Sequence, residues 1–184
     1  MSESHDTESI VGQDVEEVSS EMTEILKMEK ILGRATDSEA RMSLNLILIN
    51  KYIRGVDSVA IRDGYDLSDE ESLPASVKSA RKLEAEYHAI DVEEIRVAQD
   101  ILDDRYVNTL ASEWDPANPN IVPDIALSNV FVEMNATARL RLMLRVSIIA
   151  QRLSKILAPE IDLYRDLTVE TESQDEFESR YLDG

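Results

Sequence analysis

Apolar residues recur at helical spacing in segments bracketed by helix-capping signals, and that pattern points to an all-α fold. Met42, Leu46, Ile49 and Ile53 follow one another at steps of 4, 3 and 4, the spacing of one helix face. Thr36-x-x-Glu39 precedes them as a capping box and Gly55 follows as a stop. Leu44, Ile47 and Leu48 add apolar surface on other faces, so this helix is expected at the centre of the fold or against a second chain. An earlier segment repeats the design. Asp14-x-x-Glu17 opens it, Val15, Val18, Met22, Ile25 and Leu32 carry the stripe, and Gly33 closes it. The spacing predicts a helix over 14–32 and another over 36–54.

The rest of the chain reads the same way. A short helix near 57–62 leads to an acidic loop with the turn signal Asp63-Gly64. Pro74 suits the start of a further helix. Residues 75–113 read as two helices, 75–89 and 92–113, because Asp91-x-x-Glu94 is a capping box inside the run; one long bent helix is the alternative. Residues 114–123 hold three prolines, at 116, 119 and 123, which forbid helix and stiffen a loop. A strong helix is expected over 125–157, capped by Asp124 or Ser128 and stopped by Pro159, with an added turn over 162–167. The chain holds only five Gly and five Pro in 184 residues, too few for a turn-rich all-β fold. The expected architecture is one helical-bundle domain of five or six helices over 14–167. Residues 1–13 and 168–184 would be acidic, extended or disordered tails.

Charge is distributed unevenly. The net charge is −19, from 38 carboxylates against 19 Lys and Arg. Residues 1–24 carry −8 and residues 159–184 carry −7, whereas residues 25–62 and 116–158 each carry +3. Acidic ends of this kind are kept in water or held against a basic partner. Plain solubility and adaptation to a salty cytoplasm explain the same excess without any partner. The strongly acidic N-terminus lacks the basic and apolar regions of a secretory signal, and the longest apolar run, Leu46 to Ile49, is far too short to span a bilayer. A cytoplasmic location and no membrane contact are therefore expected. The formal sequon Asn135-Ala136-Thr137 is read as accidental.

Little in the chain suggests catalysis. There is no cysteine and there are only two histidines, His5 and His88, which excludes disulfides, thiol chemistry and thiolate metal sites. Glycine-rich phosphate loops and nucleophile elbows are missing. His88 follows Glu84 by one helical turn and reads as a surface ion pair. The pairs Glu21-x-x-Glu24 and Asp100-x-x-Asp103, with Glu93 and Asp104, resemble the magnesium-binding spacing of all-helical nucleotide phosphohydrolases. In so acidic a chain they are expected on a solvated face. The reading is of a protein that is not an enzyme and takes no cofactor.

The helix over 125–157 carries the most information. Counting about 100° per residue from Arg141, Arg145 and Arg152 lie within about 40° and Lys155 falls about 40° to the other side. Leu142, Val146, Ile149, Leu153 and Ile156 form an apolar stripe beside this basic ridge, with Leu140, Leu144 and Ile148 near it or within it. The ridge is a candidate partner surface; pairing with acids of the 92–113 helix is the intramolecular alternative. Direct nucleic-acid binding is disfavoured by the net charge. Trp114 is a candidate interface residue or the anchor of the proline loop. Phe177, Tyr181 and Leu182, set among acids, could enter a partner's groove as a helix. The expected function is protein–protein interaction or assembly, including self-association through apolar helices and contact with a basic partner through the acidic ends, as in a viral structural or accessory protein. An acidic mimic of nucleic acid and a magnesium-dependent phosphohydrolase are the alternatives.

Overall fold

The computed structural model describes the backbone of residues 4–90, 104–123 and 135–182, and the side chains of residues 14–90, 108–123 and 135–167. The described residues form five helices and no strand: α1 (Ser4–Arg34), α2 (Ser38–Arg62), α3 (Ala75–His88), α4 (Asp104–Glu113) and α5 (Ala136–Leu182). None of them is long and apolar enough to cross a membrane.

α2 is central and contacts each of the other four helices. Its apolar residues on several faces are buried inside this chain, Leu44, Ile47 and Leu48 as well as Met42, Leu46 and Ile49. α1 packs Val18, Met22, Ile25, Met28 and Ile31 on it from one side. α5 adds Leu142, Val146, Ile149, Leu153, Leu157 and Ile161, and α3 adds Val77, Ala80, Leu83 and Tyr87. These residues belong to one hydrophobic cluster that also takes in Leu110 and Trp114. Since α2 is covered from within, its apolar character gives no argument for a second chain.

Several boundaries differ from the sequence expectation, each for a physical reason. Gly55 does not stop α2, which continues through 57–62 to Arg62. Instead Gly55 lets three helices converge: a Cβ there would lie 2.7 Å from Leu157 Cδ2, 3.1 Å from Met22 Cε and 3.3 Å from Ile25 Cδ1. The N-cap of α2 is Asp37, whose Oδ2 accepts from the Ala40 N–H at 3.0 Å. Thr36 is engaged elsewhere, its N–H donating to Asn120 Oδ1 at 2.7 Å. Gly64 takes φ +90° in the turn after α2.

Both expected tails enter helices. α1 starts at Ser4. α5 runs through Pro159 to Leu182. Residues 160–182 contain no Gly or Pro, and the turn after Pro159 is tied down. Ile161 is buried there, and Glu160 accepts from the Arg62 guanidinium on α2. Asn135 precedes α5 and caps it, its Oδ1 accepting from the Ala138 N–H at 2.8 Å. The expected caps Asp124 and Ser128, and most of the 92–113 helix, lie outside the described residues. α3 ends at His88, so the break expected near 89–91 is present.

Candidate functional site

The basic ridge lies on the first half of α5, and the structure places Arg141, Arg145, Arg152 and Lys155 at the surface. Arg152 reaches Glu86 of α3 at 4.0 Å, with both side chains more than half exposed, a contact worth little in solvent. Arg145 and Lys155 have no ion-pair partner among the described residues. Lys155 also borders a cleft of about 390 Å³ between α1, α2 and α5. In that cleft the buried Tyr52 hydroxyl donates to Glu29 Oε1 at 2.7 Å, and Arg165 holds Glu29 Oε2 at 3.0 Å. Burial, and then the Glu29 charge, push the Tyr52 hydroxyl well above its ordinary pKa. Of the acids of the 92–113 helix, the intramolecular partners considered for the ridge, all but Glu113 have side chains outside the described residues.

The ridge is part of a larger feature. The side of α5 turned inward is an i, i+4 row: Leu142, Val146 and Ala150, continued by Leu153, Leu157 and Ile161. On the opposite side runs a second such row, Leu140, Leu144 and Ile148, exposed by 57%, 56% and 47%. Beyond Pro159, Leu163 and Leu167 are 59% and 57% exposed. Over 140–150 both rows drift by about 40° per four-residue step, so there they stay on opposite sides of the helix. The outer row is thus an aliphatic spine facing away from the core, flanked by Arg141, Arg145 and Arg152. Composition drew attention to the cations; the spine was visible in the repeated step of 4 at 140, 144, 148 and again at 163, 167.

Trp114 lies apart from this face. Trp114 is 2% exposed, inside the hydrophobic cluster. Its burial fits the anchor of the proline loop, one of its two sequence readings, rather than a partner contact. Phe177, Tyr181 and Leu182 lie on the backbone of α5, and their side chains are outside the described residues.

The acidic pair on α1 is already engaged with cations. Lys51, 4% exposed, places Nζ 2.5 Å from Glu24 Oε2 and 3.3 Å from Asn108 Oδ1. Burial raises the Glu21 carboxyl above its ordinary pKa, against the opposing pull of Lys51 and Arg54. Among the described residues no group of three His, Asp or Glu side chains could hold a metal ion; Asp100 and Asp103 lie outside them. On α3, His88 Nε2 sits 3.8 Å from Glu84 Oε1 at the surface.

The loop 114–123 is held from both ends. Asp115 accepts from Ala117 N–H at 2.9 Å and from Asn118 Nδ2 at 2.7 Å. These bonds, the backbone one first, hold its carboxyl below the ordinary range. Asn120 Oδ1 accepts from the N–H groups of both Thr36 and Asp37, at 2.7 and 3.0 Å, fixing the loop to the corner between α1 and α2. No family model matches this chain, and no curated protein and no solved structure matches it.

Proposed function

We propose that this chain is a non-enzymatic interaction and assembly protein whose docking surface is the outward face of α5. The observation that carries the reading is the row Leu140, Leu144 and Ile148, left about half exposed on a helix whose opposite side is fully engaged. Contiguous large aliphatics on a surface mark interaction sites, and arginine beside apolar anchors is the composition enriched in protein interfaces. The acidic ends extend the reading to a partner that offers a basic surface.

The test compares wild type with a Leu144→Glu/Ile148→Glu variant as immobilised baits. Both positions are exposed, so helicity and thermal unfolding are expected to stay unchanged. The bound set, the chain itself included, is expected to lose at least one member with the variant. Identical sets from the two baits would refute the proposal.

A further inference from the structure

Charge along α5 is segregated as well as its apolar row. Residues 136–158 carry five bases and no acid, while residues 159–182 carry eight acids and two bases. One helix therefore has a positive first half and a negative second half, with exposed aliphatics in each. We infer that the partner of this face is a second copy of the chain, with the two α5 helices packed antiparallel about a two-fold axis near Lys155 and Ile156. The inference rests on the docking reading above and names its occupant.

The pairing follows from the residue positions. A two-fold axis makes every contact occur twice, with i against j and j against i. Only an antiparallel arrangement lays the basic half of each helix on the acidic half of the other; a parallel one would set like charges side by side. With the axis between positions 155 and 156, Ile148 falls opposite Leu163, about 60° apart around the helix and so on one face. Both are exposed in the single chain. The same register, with no further adjustment, places Arg145 across from Asp166.

Net charge does not forbid the pair. Two copies of a −19 chain repel at low ionic strength. At 0.15 M salt, however, the screening length is about 8 Å, so the distant acids are screened while ion pairs at contact persist.

The absence of cysteine makes the test clean, because any thiol introduced is the only one. At 0.15 M salt, light scattering of the purified full chain is expected to give a dimer mass. Leu144→Glu/Ile148→Glu is expected to give a monomer with unchanged helicity. Arg145→Glu is expected to weaken the dimer at least tenfold, and Arg145→Glu with Asp166→Arg to recover most of that loss. Under mild oxidation Lys155→Cys is expected to cross-link to itself. Ile148→Cys, about 22 Å from its own copy along the antiparallel pair, is expected to cross-link only when mixed with Leu163→Cys.

Each failure is distinguishable. A monomer at every concentration up to several hundred micromolar overturns the inference, as does efficient self-cross-linking of Ile148→Cys. If in either case the spine variant still loses some other captured protein, the docking reading stands without the dimer. A dimer indifferent to both spine substitutions, with an unchanged captured set, retires both.

Discussion

Two glycines in this chain answer to opposite forces. Gly33 sits near the end of α1 with nothing within 4 Å of where a Cβ would go, so it gives up backbone entropy for no packing return. Gly33→Ala is expected to stabilise the fold by about 0.5 kcal/mol. Gly55 sits where α1, α2 and α5 meet, and a larger side chain must displace Leu157, Met22 and Ile25. Gly55→Leu is expected to cost about 3 kcal/mol. Urea denaturation of both variants at neutral pH reads the two signs. Glu21 offers a pH-dependent counterpart. Its burial-raised carboxyl means that the folded chain binds a proton there more tightly than the unfolded chain does. Its contribution is therefore fully present below the ordinary pKa of 4.5 and is lost as pH rises above it. Glu21→Gln, which keeps the shape of the protonated form, is expected to gain on wild type as pH rises from 4 to 7, levelling off once the carboxyl is ionised in the folded chain as well. A stability difference that does not change over that range would contradict the account.

At the scale of the element, α5 shows how packing overrides a local helix breaker. Pro159 has no N–H for the Lys155 carbonyl, and its ring crowds that turn. The helix continues because the next turn is secured at three points: Glu160 by Arg62, Ile161 in the core, and Arg165 by Glu29. Pro159→Ala is expected to raise stability by about 1–3 kcal/mol. Arg62→Ala, which leaves the mostly buried Glu160 carboxylate without its cation, is expected to lower it by about 2 kcal/mol. Thermal unfolding followed by far-ultraviolet circular dichroism measures both. The existence of the helices was legible in the sequence because period and caps agreed, as at Met42–Ile53 and at the break after α3. Their ends at Gly55 and Pro159 were not, because a close approach of three helices and an ion pair 98 positions apart are tertiary facts with no local trace. The site was legible in part: the cations and the neighbouring leucines stood out, while Trp114 needed the core around it to be assigned. That Lys51 is buried beside Glu24 also left no mark, since lysine in a helix normally reads as solvent-facing.

At the scale of the whole molecule, one cluster joins residues from all five helices and the proline loop. Trp114, the only tryptophan, lies in it and so reports on the core as a unit. Its emission and the helical signal are expected to change together on denaturation, at one midpoint. Two separated midpoints would divide the helices into independently melting units. The clasp of Asn120 on Thr36 and Asp37 has a consequence for synthesis. The amide oxygen that completes the corner before α2 is supplied 84 positions after Thr36. While the ribosome is making the first third of the chain, that turn has only solvent to meet its two donors. It closes once the prolines have emerged, so the hairpin at the amino end finishes late although its own residues are translated early.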